Sequence, residues 1–370
     1  MSQLFSSIEL GLVKLPNRIV IAPMCQYSST NGLANDWHLI HLGQLALSGA
    51  GLLILEATAV EAEGRITSAD LGLWSDACEA ALARVIGSIQ QHSAMPLGIQ
   101  LSHAGRKASS RAPWDGGQLV LPSEGGWVPS GPSAIEHAAG EPPPKAMELA
   151  DLRRIAQAFA DAAQRAYRAG IRVIELHMAH GYLLHQFLSP VSNQRNDDYG
   201  GSLQNRLRFP LEVFDAVRAA VPAEVAVGVR ISGTDWVEGG WDIAQSIALG
   251  HALALRNCVF MHVSSGGISP EQQIPIGPGY QVHLAEQVRN ETGLPTMAVG
   301  LITEPQQAQD IVAQGRADMI AIARGILYNP HWPWQAAAAL GAQVVAPRQY
   351  WRSQPRGLSG LFGDVTIGQR

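Results

Sequence analysis

The sequence predicts an α/β protein of the (β/α)8, or TIM-barrel, class, and three observations carry that prediction. Eight strongly apolar, β-branched runs recur along the chain, each followed by a segment of helical period. The runs are continuously apolar, as parallel strands buried on both faces and joined by crossover helices must be. A doubly wound sheet, the competing α/β arrangement for a dinucleotide enzyme, would carry G-x-G-x-x-G after its first strand. Neither that run nor G-x-x-x-x-G-K-[ST] is present.

Taken in order, RIVIAP (18–23) precedes a helix over 36–48, and GLLILEATAV (51–60) precedes one over 76–92 with Asp76 as its cap. PLGIQL (96–101) is parted from its helix, 149–169, by a long loop rich in Gly, Pro and Ser. IRVIELH (171–177) pairs with 203–220, VAVGVRI (225–231) with 243–255, and CVFMHVSS (258–265) with 280–292. PTMAVG (295–300) leads to 305–314, opened by Thr303 and an early proline, and DMIAIAR (318–324) leads to 330–340. Glycine follows Ala169, Thr292 and Gln314, where a helix stop needs a left-handed residue. Residues 1–340 therefore read as one barrel domain, with the loop 103–147 after the third strand on the face where barrels carry their sites. Residues 341–370 read as a C-terminal arm whose Tyr350, Trp351 and Arg352 need a surface to pack on.

Composition narrows the function. With 46% hydrophobic residues the 370-residue chain can bury a large core, and 26 basic against 31 acidic residues provide no field to attract nucleic acid. The longest apolar stretch, Leu45 to Leu55, is about half of the ~20 residues a bilayer span needs. The N-terminus has no basic start followed by an apolar run, and three scattered cysteines suit a reducing compartment, so a cytoplasmic protein without membrane partners is expected.

Side chains just past the strands share one pocket. The first strand delivers Pro23, Met24, Cys25, Gln26 and Tyr27, the third Gln100 and His103, and the fourth His177, His180 and Tyr182. The fifth and eighth end with Arg230 and Arg324. A zinc site would want a third ligand at a strand end, and none is placed there, so no metal is expected. Two imidazole N–H donors suit the polarisation of a carbonyl or nitro oxygen, and a phenol can give a proton to carbon. Arg324, near Gly300 and Gly325, stands where barrels bind phosphate, after strands seven and eight. A phosphate site opposite a His/Tyr pair implies a phosphorylated cofactor across the barrel mouth.

Five motifs together resemble the old yellow enzyme family, the flavin mononucleotide (FMN) ene-reductases, and its bacterial xenobiotic-reductase-like branch. They are NRIVIAPMCQY (17–27), GAGLLILEATAV (49–60), QLSHAGRK (100–107), ELHMAHGY (175–182) and FLSPVSNQRNDDYGGSLQNR (187–206). The resemblance implies FMN stacked over the barrel mouth. Backbone around Pro23, Met24 and Cys25 and at Ala57 would contact the ring, Gln100 and Arg230 would reach its pyrimidine edge, and Gly300, Ala323 and Arg324 would hold the phosphate. It further implies that His177 and His180 clamp the oxygen of an activated alkene or nitro compound while Tyr182 protonates the α-carbon. Tyr27 would touch the substrate, and Cys25 would modulate the flavin. NADPH or NADH would reduce the flavin in the same pocket, leave, and be replaced by the oxidant. In this branch the arm reaches a neighbouring subunit's site, which implies a homodimer or homotetramer with Trp351 or Arg352 contributing.

Two positions depart from the family pattern. Ala323 stands where glycine usually precedes the phosphate-binding arginine, and Val299 replaces a tryptophan that narrows the pocket in some relatives. Larger relatives with a [4Fe–4S] cluster need four close cysteines, which three scattered ones exclude. A phosphate-binding barrel lyase or isomerase without flavin is the alternative, with Lys107 or Glu56 as its only candidate nucleophile or base.

Overall fold

The computed structural model describes residues 2–366 and 368; Met1 and, in the predicted arm, Ile367, Gln369 and Arg370 lie outside the described residues. Eight parallel strands close into a barrel in chain order. They are β1 (Ile19–Ile21), β2 (Leu52–Ala59), β3 (Leu97–Ser102), β4 (Val173–Met178), β5 (Ala226–Ser232), β6 (Met261–Ser264), β7 (Thr296–Ala298) and β8 (Met319–Ile322). β8 returns to β1 with Ile320 opposite Ile19 and Ile322 opposite Ile21, which leaves no free edge.

The outer ring is α1 (Asp36–Ala46), α2 (Asp76–Gln90), α3 (Leu149–Arg168), α4 (Leu203–Ala220), α5 (Ile243–Ala254), α6 (Val282–Thr292), α7 (Pro305–Ala313) and α8 (Trp332–Ala339). Each predicted strand and helix is present, and the differences lie at the ends. Ser75, not Asp76, caps α2: its extended backbone lets Oγ accept from the Cys78 N–H at 3.2 Å, and Asp76 falls in the first turn, where its charge still favours the helix dipole. Thr303 is likewise one residue too early, because the extended residue before α7 is Glu304.

Strand alternation divides the core in two. Ile19, Ile21, Leu53, Leu55, Ile99, Ile174, Val227 and Val229 face the helices, whereas Val20, Leu52, Ile54, Val173, Ala226, Phe260, Met297 and Met319 fill the barrel. The inner set is closed from below by a hairpin that sequence periodicity did not reveal, Ile8–Leu10 paired with Val13–Leu15, whose Leu10 and Leu15 join the interior cluster. Gly228 makes room for the Phe260 ring, which would lie 2.5 Å from any Cβ there. Towards the C-terminal ends the interior turns polar: Gln100, Glu175, Arg230 and His262 are all buried.

The loop after β3 folds through three short 3-10 turns and pairs Ser130–Gly131 with Lys145–Ala146. The arm packs Val344, Ala346, Leu361 and Phe362 onto α8 around Trp334. Among the described residues no helix is long and apolar enough to cross a membrane.

Candidate active site

The site is built from the loops that leave the strands. After β1 the chain runs through Pro23, Met24 and Cys25 to Tyr27, which adopts a left-handed φ of 48°. A register shift in β2 between Leu55 and Ala57 places the buried Glu56 so that its carboxylate accepts the Gln26 N–H at 2.9 Å, anchoring this loop beside Ala57. Burial, followed by the charges of Asp70 and Glu56, pushes the Cys25 thiol well up, so it stays protonated. Burial does the same to the Tyr27 phenol. The Tyr27 ring stands edge-on to Trp114 with centroids 5.6 Å apart, and a cavity of about 370 Å³ opens beside it, walled by Thr67, Ser109, Trp114 and Trp127. The long third loop thus covers one side of the site.

After β4 the three predicted residues converge. The His177 ring lies 5.2 Å from that of His180 and 4.8 Å from that of Tyr182, both edge-on. Burial first, then the Arg230 charge, holds both imidazoles well below their ordinary range, so they are neutral. A backbone hydrogen bond assigns the tautomer of His177. His177 Nδ1 accepts the Ala179 N–H at 3.3 Å, which leaves the proton on Nε2; His180 Nε2 lies 2.8 Å from Ser264 Oγ, a hydroxyl that is also 3.4 Å from Gln281 Oε1. Burial keeps the Tyr182 phenol far above its usual value, hence protonated.

The loop that carries them is pinned from three sides. His180 sits at φ 57° and donates its N–H to Ser232 Oγ at 3.0 Å. Gly181 passes so close to the loop after β6 that a Cβ would lie 2.1 Å from the Gly267 oxygen. Lys107 reaches across from the third loop, donating to the carbonyls of His180 (2.9 Å) and Gly267 (3.0 Å) with its ammonium 5.2 Å from the Tyr182 ring centre. From below, His185 Nδ1 accepts the Gly181 N–H at 2.9 Å, and its Nε2 lies 2.8 Å from the fully buried Asp235.

A cavity of about 200 Å³ at the ends of β7 and β8 is lined by Arg230, Ser264, Gly300, Leu301, Ala323 and Arg324. Two guanidinium groups on one polar cavity call for an anionic ligand. Buried Arg230 carries an Nε with no partner among the described residues, a donor that a ligand edge would satisfy. Gly300 adopts φ 123°, a region closed to side chains, while Ala323 has φ −107° and needs no glycine there. These residues fit a flavin with its phosphate between the last two strands.

One expected position lies elsewhere, and the two arm residues expected at a neighbouring subunit's site stay outside this one. His103 is turned away from the pocket, with Nε2 2.9 Å from Glu61, itself paired with Arg154. Trp351 donates its indole N–H to Ala346 at 3.1 Å within the arm, and Arg352 is exposed beside it, so neither joins this chain's own site. Glu175, His262, Ser264 and Trp114 were not foreseen as site residues. Among the described residues no group of three His, Cys, Asp or Glu is arranged to hold a metal ion.

Comparison with known proteins bears on this geometry. The model of the NADH:flavin oxidoreductase / NADH oxidase family matches residues 3–343. The chain belongs to that family. It is 43% identical over 351 residues to an NADPH dehydrogenase of Geobacillus thermodenitrificans, covering 94% of this chain and 98% of that protein. It is also 43% identical over 378 residues to an NADH:flavin oxidoreductase of Gibberella zeae, covering 97% and 91%. Among solved structures, morphinone reductase in complex with tetrahydroNAD superposes with a TM-score of 0.76 at 30% identity, covering 93% of this chain and 92% of that one. This old yellow enzyme relative is an oxidoreductase that uses FMN and a nicotinamide cofactor.

Proposed function

We propose that this flavoenzyme reduces activated C=C bonds, and related nitro compounds, on small molecules that carry an oxygen conjugated to the reacting centre. The observation that carries the reading is the His177–His180–Tyr182 group: two neutral imidazoles and one protonated phenol at one strand end, opposite a cavity with two arginines. When bound, FMN supplies a hydride from N5 to the β-carbon and is re-reduced by NADPH or NADH in the same pocket.

His177 Nε2–H and the His180 ring donate to the substrate oxygen, where negative charge develops as the β-carbon is reduced. Tyr182 gives its proton to the α-carbon and recovers one from solvent. Tyr27 and Trp114 bound the other side of the substrate, and Cys25 touches the flavin as a neutral thiol. Pro23, Met24 and Ala57 contact the ring, Gln100 and Arg230 its pyrimidine edge, and Gly300, Ala323 and Arg324 the phosphate. The enzyme assembles as a homodimer or homotetramer, in which Trp351 or Arg352 of one copy enters a second copy's site.

A lyase or isomerase is disfavoured because its candidate groups are already engaged. The Lys107 ammonium is held by two carbonyls, and the Glu56 carboxylate by the Gln26 N–H. The test is an anaerobic turnover of a cyclic enone with nicotinamide cofactor deuterated at C4, run in normal water. Deuterium at the β-carbon and hydrogen at the α-carbon of the saturated ketone are expected. An enone returned unreduced, with the flavin still reduced, would overturn the proposal.

A further inference from the structure

The barrel interior holds a buried carboxylate that the chemistry above does not use. Glu175 on β4 is fully buried, and its two oxygens have different partners. Gln100 Nε2 on β3 donates to Oε1 at 2.7 Å, and His262 Nδ1 on β6 lies 2.8 Å from Oε2. Arg230 on β5 is the register neighbour of both His262 and His177. A carboxylate in so dry a place persists only with such partners.

The arrangement has a polarity. A carboxylate only accepts, so Gln100 must turn its amide nitrogen to Glu175 and present Oε1 on the other side, where no described residue donates to it. Burial and the Arg230 charge keep His262 neutral, so the cluster of Glu175, His262 and Gln100 carries one negative charge facing the positive charge of Arg230. The pyrimidine edge of a flavin alternates: N3–H donates, and the flanking oxygens accept.

We propose that Glu175 is a positioning residue for the cofactor: it fixes Gln100 as the acceptor for N3–H and offsets Arg230, and so sets both the affinity for FMN and its reduction potential. This rests on FMN lying across the barrel mouth. The anionic reduced flavin is favoured by Arg230 and opposed by Glu175. Removing the carboxylate charge makes the flavin easier to reduce and frees Gln100 to flip.

The experiment compares wild type with Glu175→Gln and Glu175→Asp, reading FMN affinity by flavin fluorescence and midpoint potential by anaerobic titration against a reference dye. For Glu175→Gln a roughly tenfold weaker FMN affinity is expected, with a tenfold shift of the two-electron equilibrium, or about 30 mV towards easier reduction. Glu175→Asp, which keeps the charge, should return the potential to the wild-type value. A Gln variant with unchanged affinity and potential, or with only a lowered melting temperature, overturns the inference. If Glu175→Gln does not fold, Gln100→Met leaves the carboxylate in place and should weaken FMN binding about tenfold; an unchanged affinity overturns the inference equally. Unchanged FMN affinity in both Gln100→Met and Arg230→Met would instead overturn the placement of the cofactor.

Discussion

Replacing Tyr182 by Phe removes one hydroxyl and, with it, the proposed proton donor. The structural cost is small. The hydroxyl makes no hydrogen bond to a described residue, while the ring keeps its edge contact with His177 at 4.8 Å and its place 5.2 Å from the Lys107 ammonium. A change of this kind stays within about 0.5 kcal/mol of wild-type stability. The kinetic cost is large, because a positioned acid contributes roughly 10²–10⁴-fold to a proton transfer, or about 3–5 kcal/mol of barrier. Stopped-flow mixing separates the half-reactions. Flavin reduction by NADPH needs no proton from Tyr182 and should stay within about twofold of wild type. Reoxidation by an enone should slow at least 100-fold, taking the lower bound of that range. Reoxidation by a quinone, whose oxygens take protons from water, should change little. Equal losses in both half-reactions would refute the reasoning, because they would mean that the hydroxyl holds the site in shape rather than giving up a proton.

Other consequences are open to measurement. Arg324→Ala removes a charge-assisted contact worth about 1.5–3 kcal/mol, so FMN affinity should fall by roughly 10- to 100-fold while affinity for riboflavin, which lacks the phosphate, stays unchanged. A parallel loss for riboflavin would argue against a phosphate role. Burial pulls the Lys107 ammonium down to about 8, so between pH 8 and 10 the unfolded chain holds more protons at this position than the folded one. Wild type should therefore gain stability relative to Lys107→Met over that window, by up to about 3 kcal/mol, measured as a difference in denaturant midpoints. Flat differences would show that the amine is not desolvated. Asp235 runs the other way: His185, Ser189 and the Trp241 N–H hold its carboxyl below the usual value against the opposing effect of burial. Its contribution is full above about pH 4 and is lost as pH falls further, so Asp235→Asn should flatten the acid limb of the stability profile, read by circular dichroism.

Much of the site was legible because a barrel collects the ends of its strands on one face. Arg230 and Arg324 were placed by that rule, as were His177, His180 and Tyr182, whatever lies between them in the chain. His103 shows where the rule fails. It follows β3 directly, but beyond a strand the alternation of side chains no longer fixes direction, and the ring turned outward to Glu61. Glu175 shows the opposite failure. It sits inside an apolar run and reads as a lapse in hydrophobicity, until the closed barrel brings Gln100 and His262 to its two oxygens. The hairpin under the barrel was missed because two three-residue strands are too short for periodicity to register.

By itself the sequence determined the count, order and type of the elements, since eight apolar runs buried on both faces admit few parallel arrangements. It also determined which polar residues stand at the strand ends. Only the tertiary structure decided which way those residues face, which nitrogen of His177 carries its proton, and that the interior passes from a hydrophobic plug to a charged layer beneath the site. These properties arise from contacts between strands tens of residues apart. Burial and the proximity of Arg230, rather than the residue types alone, fix the neutral state of His177 and His180 on which the proposed chemistry depends.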